Sequence, residues 1–124
     1  QSHRKLKSFP AALKEYRATI RIKKDYANAH NGMGRIYLTQ EKYGKAIAAY
    51  RQSVKYNPKG YRAYYNLAIA IQSNDPDDLE ASIAGWKQAL RVAKKIPKAK
   101  DIAKRSAEQI EKLEKQKTNQ DLNN

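Results

Sequence analysis

Residues 34–58, with the sequence GRIYLTQEKYGKAIAAYRQSVKYNP, decide the fold of this chain. Apolar residues in this stretch lie three and four positions apart, as they do on the buried face of an α-helix. The pattern is interrupted at Gln40–Glu41 and stops at Asn57–Pro58, where a proline blocks further helix. The stretch therefore predicts the end of one helix, a short turn and a complete second helix. Gly34 and Ala46 are small, so we expect the two helices to approach closely near them.

The same pattern recurs on both sides of this stretch. An offset of 34 residues pairs Tyr16 with Tyr50 and Gly34 with Ala68, and an offset of 36 residues pairs Tyr50 with Trp86. The two extra residues are expected in the turn around residues 73–78. Six helices are predicted, at residues 10–23, 26–39, 42–56, 60–73, 76–94 and 98–117. Pro10 and Pro76 are expected in first helical turns, with Asp75 as the cap of the helix that Pro76 opens.

A helix–turn–helix unit that repeats every 34 residues resembles the tetratricopeptide repeat (TPR) family. The residues that carry the resemblance in one repeat are Gly34, Tyr37, Tyr43, Ala46, Tyr50 and Pro58. Those in the next repeat are Leu67, Ala68, Trp86, Ala89 and Leu90. The resemblance implies an all-α fold, a TPR-like α-solenoid of antiparallel helix pairs wound into a right-handed superhelix.

The repeat pattern also predicts how the chain is organised. Residues 1–7 are expected to be the remnant of a preceding helix or a linker, and residues 118–124 a polar tail. Between them we expect a half repeat (8–24), a repeat (25–60), a repeat with a two-residue insertion (61–97) and a C-terminal cap helix (98–117). The half repeat lacks its first helix, so one of its faces is expected to be uncovered and available for docking or self-association.

The residue inventory argues against catalysis. The chain has no cysteine and only two histidines, His3 and His30, and neither has a metal-ligating partner one helical turn away. The acidic run at residues 75–80 lacks the glycine and the glutamate of a calcium loop. We therefore expect no enzyme activity, no cofactor and no metal. No signal peptide and no transmembrane run is recognised, so a soluble protein is expected, in a compartment that the sequence leaves open.

The resemblance implies that the first helix of each pair lines a concave groove that binds a peptide of a partner protein. The expected groove residues are Asn31, Arg35, Arg62, Tyr65, Asn66, Ile69 and Arg105. Their amides and guanidinium groups favour a partner with acidic or C-terminal carboxylate character. Some family members clamp a carboxylate in this groove, and here Asn66 and Arg105 match that clamp. Its lysine and asparagine are replaced by Asn31 and Arg35, so the clamp is partial.

The net charge is +14, and eight of the cationic residues lie within residues 1–24. Several interpretations of this charge remain open. It is a solvated basic face, or it contacts an acidic protein segment, or it makes the chain a basic scaffold for nucleic acid or anionic surfaces. A separate alternative is a self-association module, a homo-oligomer formed through residues 8–24.

Overall fold

The computed structural model describes the backbone of residues 2–123 and the side chains of residues 9–123. This part of the chain folds into α-helices joined by short turns. The helices are α1 (Ser2–Ile22), α2 (Ala27–Thr39), α3 (Tyr43–Tyr56), α4 (Tyr61–Asn74), α5 (Leu79–Lys94) and α6 (Lys100–Asn123), with one 3₁₀ turn at Pro97–Ala99 before α6. The predicted all-α class is confirmed.

Each helix packs against the next one in the chain, from α1 with α2 to α5 with α6. Helices two apart also make contact, α2 with α4 and α4 with α6. This arrangement gives the stack an inner row formed by α2, α4 and α6, and an outer row formed by α1, α3 and α5. The predicted solenoid of antiparallel helix pairs is therefore confirmed.

Small side chains allow the helices of a pair to approach closely. Gly34 on α2 is buried, and a Cβ atom placed on it would lie 2.7 Å from the Tyr50 ring of α3. Gly85 on α5 lies against Ala68 of α4, where an added Cβ would meet the Ala68 Cα at 3.4 Å. Ala46 is fully buried, but the atoms nearest to a Cβ at Gly34 belong to the Tyr50 ring. The glycine thus makes room for a large aromatic side chain.

The predicted starts of two helices are wrong. Pro10 lies inside α1, which begins at Ser2, although an interior proline removes one backbone hydrogen bond and crowds the preceding turn. Residues 2–7 are therefore part of α1. The helix expected at Pro76 begins at Leu79, and its cap is Asp78, whose Oδ1 accepts a 3.1 Å hydrogen bond from the Ala81 N–H. Asp75 instead accepts a hydrogen bond from the Asp77 N–H within the turn.

The C-terminal helix is longer than the predicted cap at residues 98–117. A 3₁₀ turn occupies Pro97–Ala99, and α6 continues to Asn123. The predicted polar tail at 118–124 is therefore helical up to Asn123. Two contacts accompany the extension. Lys117 Nζ lies 3.4 Å from the Glu80 carboxylate on α5, and the Thr118 hydroxyl donates to the Glu114 carbonyl. Thr118, Asn119, Asp121 and Asn123 are weak helix formers, so helix propensity alone does not predict this extension.

The two glycines Gly34 and Gly44 provide a matched pair of substitutions. Both lie in helices, so alanine raises helix propensity at either site by up to about 1 kcal/mol. A Cβ at Gly44 meets no atom within 4 Å, whereas at Gly34 it meets the fully buried Tyr50 ring. We expect Gly44→Ala to stabilise the protein and Gly34→Ala to destabilise it by about 1–3 kcal/mol, measured by urea unfolding. Equal stabilisation by both would contradict the close packing.

The Tyr50 hydroxyl is buried and has no hydrogen-bond partner among the described residues. Burial raises the pKa of Tyr50 above its ordinary value, an effect that the charge of Arg35 partly opposes. The hydroxyl therefore keeps its proton in the folded state at a pH where it ionises in the unfolded chain, so the free energy of unfolding falls as the pH rises above about 10.

We expect Tyr50→Phe to raise the free energy of unfolding at neutral pH by about 1 kcal/mol, because it removes an unpaired buried hydroxyl. The variant should also lose less stability than the parent protein above pH about 10. Urea unfolding at both pH values measures the two effects. A loss of stability at neutral pH would show that the hydroxyl has a partner.

Candidate functional site

An open depression of about 500 Å³, which we name the inner cavity, lies between α4 and α6 of the inner row, with α5 beneath it. It includes two of the predicted groove residues, Tyr65 and Ile69, both half-buried on α4. The other residues that line it are Gln72, Ser73, Pro76, Trp86, Gln109 and Lys112. The cavity therefore combines an apolar floor with a polar rim.

The floor of the inner cavity is held by two contacts of Trp86. The indole Nε1–H donates a 2.8 Å hydrogen bond to the Gln72 side-chain oxygen. The Tyr65 ring meets the indole edge-on, with ring centroids 5.3 Å apart. Trp86 is 3% exposed, so it belongs to the core and presents only a small part of its surface to the cavity. Together these contacts fix Tyr65 as a rigid apolar surface.

The rim residues Gln109 and Lys112 of α6 were missed by the sequence analysis, which stopped at Arg105. A signal was present, because residues 105, 109 and 112 are spaced by four and three and so share one face of a helix. Arg105 itself is exposed on α6 and borders none of the cavities described in this section. The half-buried Asn66 of α4 does not border them either.

Asn31 and Arg62 line a second cavity of about 540 Å³, which we name the turn cavity. It lies where α3 ends and where α2 and α4 begin, and residues 96 and 98 close its other side. Its charged lining residues are Lys59, Arg62 and Lys98, and the described residues around it include no acidic side chain. The Asn31 Oδ1 atom is buried there without a hydrogen-bond partner in the described chain.

Arg35 lies in a third depression, of about 400 Å³, between α1 and α2. The half-buried Phe9, Ala12 and Tyr16 of α1 form its other wall. Five of the seven predicted groove residues are thus distributed over three depressions, because successive residues on one helix face meet different neighbouring helices. Self-association through residues 8–24 stays a prediction.

Among the described side chains, no group of three or more His, Asp or Glu residues could hold a metal ion. Within residues 2–123, no helix is both long and apolar enough to span a bilayer.

Comparisons with known proteins agree with this geometry. The fold defines a helical-repeat protein. A sequence profile described as "Tetratricopeptide repeat" matches residues 1–52, and a second described as "TPR repeat" matches residues 34–75. The chain therefore belongs to the tetratricopeptide repeat family, as its sequence indicated. The comparison with curated proteins gives no match.

Several solved structures share the fold. PcrH in complex with the chaperone binding region of PopD has a TM-score of 0.80 at 18% identity, over 94% of this chain and 86% of that chain. The Yersinia enterocolitica chaperone SycD in complex with a YopD peptide has a TM-score of 0.81 at 17% identity, over 94% and 87%. The TPR2B domain of yeast Sti1 in its pHsp70 complex has a TM-score of 0.74 at 17% identity, over 93% and 90%.

The Trp86–Gln72 hydrogen bond provides a test of the inner cavity. In Gln72→Leu the indole N–H of a buried tryptophan loses its partner, which is expected to cost about 1–3 kcal/mol of stability. Gln88→Leu is the matched control, because Gln88 is exposed on α5. Urea unfolding followed by the fluorescence of the one tryptophan measures both variants. Equal stability of the two variants would contradict the bond.

Proposed function

We propose that the inner row of helices binds a linear peptide segment of a partner protein. The observation that carries this proposal is the inner cavity, where the rigid Tyr65 and the aliphatic Ile69 lie beside the polar Gln72, Gln109 and Lys112. An apolar side chain of the peptide packs on Tyr65 and Ile69, because an aromatic surface that is already ordered loses little entropy on binding. The amides of Gln72 and Gln109 can pair with the peptide backbone.

The similarity to peptide complexes supports the same function. PcrH is bound to a region of PopD, SycD to a YopD peptide and Sti1 TPR2B to pHsp70 in the structures that share this fold. A protein-interaction module is therefore the function that fold and cavity favour together. No catalytic group is required for it, in keeping with a non-enzymatic role.

The charge of the inner face favours an acidic peptide. Arg35, Arg62, Arg105 and Lys112 are exposed on α2, α4 and α6, and no ion pair among the described residues involves them. Arginine binds carboxylates through two parallel hydrogen bonds, so an acidic side chain or a C-terminal carboxylate suits this face. The partner is accordingly a protein segment that combines one apolar anchor with nearby negative charge.

A panel of short synthetic peptides tests the proposal. Each peptide carries one aliphatic or aromatic anchor, flanks that are acidic or neutral, and a C-terminus that is free or amidated. We expect the acidic peptides with a free carboxylate to bind most tightly in fluorescence anisotropy. Tyr65→Ala should weaken all of them by at least about tenfold, because it removes the anchor surface.

Arginine substitutions separate charge from anchoring. We expect Arg62→Ala combined with Arg105→Ala to remove the preference for acidic and free-carboxylate peptides while the anchor still binds. Arg51→Ala combined with Arg91→Ala is the matched control, since both residues are exposed on outer helices. If acidic and neutral peptides bind equally to the parent protein, the acidic preference is wrong. If no peptide of the panel binds, the proposed function itself fails.

A further inference from the structure

The turns on the two edges of the solenoid differ in charge. The turns after α1, α3 and α5 lie on one edge, because alternate helices run in opposite directions, and the turns after α2 and α4 lie on the other. On the second edge, the turn after α4 is acidic, with Asp75, Asp77 and Asp78, whereas the turn after α2 carries both Glu41 and Lys42. We name the first the basic edge. It carries two exposed lysines at each turn: Lys23 and Lys24, Lys55 and Lys59, and Lys95 and Lys98.

The three turns of the basic edge form one continuous surface. The His30 Nε2–H donates a 2.8 Å hydrogen bond to the Lys24 carbonyl, and its ring stacks on Tyr56 at the end of α3 with centroids 5.8 Å apart. The turn cavity then joins Lys59 to Lys98. The first turn is thus connected to the second and the second to the third.

The charge of this surface is not neutralised within the described chain. Two acidic residues lie at its three turns, Asp25 and, in the first turn of α6, Asp101, against six lysines. The ion pairs among the described residues lie on α5 and α6. Lys55 lies in the last turn of α3, where its positive charge also interacts favourably with the negative end of the helix dipole. That local role does not extend to Lys24, Lys59 and Lys98, which lie outside the α-helices.

Apolar side chains project from the same edge. Ile22 is 88% exposed at the end of α1, Tyr26 is 41% exposed and Tyr56 is 37% exposed. Lys23 Nζ lies 5.6 Å from the Tyr26 ring centroid, and Lys55 Nζ lies 5.4 Å from that of Tyr56. This combination of lysine with aromatic and aliphatic side chains is typical of the interface of a bilayer.

We propose that the basic edge docks on the surface of an anionic lipid bilayer. Its lysines contact the phosphate and carboxylate groups of the lipids, while Ile22 and Tyr26 enter the headgroup region. The observations favour lipid over nucleic acid for two reasons. Base stacking needs free aromatic faces, whereas Tyr26 and Tyr56 are already engaged by lysine and histidine. An exposed isoleucine also gains nothing from a phosphate backbone.

Co-sedimentation with vesicles tests this proposal on the full chain. The protein is mixed with phosphatidylcholine vesicles that contain or lack phosphatidylserine. We expect binding only to the phosphatidylserine vesicles. Neutralising one lysine in each turn, as Lys24→Ala, Lys59→Ala and Lys95→Ala together, should weaken that binding on the order of 100-fold. The matched control is Lys14→Ala, Lys42→Ala and Lys45→Ala together, which removes the same charge from exposed positions elsewhere.

A second variant tests the apolar contact. Ile22→Ser leaves the net charge unchanged and should weaken vesicle binding several-fold, whereas binding to a short DNA duplex should not change. Circular dichroism melts confirm that all variants remain folded.

Three results would overturn the proposal. The first is that the parent protein fails to bind phosphatidylserine vesicles. The second is that the two triple variants weaken vesicle binding equally. The third is that the basic edge binds the DNA duplex and not the vesicles. None of these results affects peptide binding by the inner cavity, which uses other residues.

Discussion

The close contact between Gly34 and the Tyr50 ring is the constraint on which the rest of the structure depends. A helix surface without a side chain lets a large ring of the next helix fill the space between them. Between α1 and α2, the Tyr16 ring packs against Gly32 in the same way, because Gly32 has no Cβ atom. Helices joined by such contacts lie side by side in chain order. The result is an open stack with two rows of helices and two edges.

This architecture separates the surfaces of the protein by physical character. The inner row has the cavity where Tyr65 and Trp86 provide a rigid apolar floor. The edges carry the turns, and alternation of helix direction gathers every second turn on the same side. The turns of one edge therefore carry lysines and a turn of the other carries aspartates, although turns of the two edges alternate along the chain. The peptide anchor formed by Tyr65 and Ile69 lies apart from the basic edge, whereas Arg62 borders the turn cavity together with Lys59 and Lys98.

Packing and charge have different roles here. The three ion pairs of the described residues are largely solvent-exposed, and such pairs contribute little to stability. The fold rests instead on two buried clusters, one around Tyr50 and Leu67 and one around Trp86 and Ile83. The excess lysines and arginines are thus not required to hold the helices together. They remain available for recognition of acidic groups.

Much of the fold could be predicted from local spacing. The period of 34 residues and the alternation of three and four predicted the helix pairs, because neighbouring residues alone decide which face of a helix is apolar. Helix ends were harder to predict: Pro10 lies within a helix, and the cap is Asp78 instead of Asp75. Three aspartates lie near the start of α5, and their spacing does not show which one accepts the helix N–H. The candidate site was predicted only in part.

The sequence by itself determined the repeat, the all-α class and the inner-row positions such as Tyr65 and Ile69. Tertiary structure alone decided that Gln109 and Lys112 of α6 meet them across the inner cavity. It also decided that Lys24, Lys59 and Lys98, far apart in the chain, lie along one edge. The physical reason is that spacing within a helix reports its faces, whereas the neighbours of each face depend on how separate helices pack.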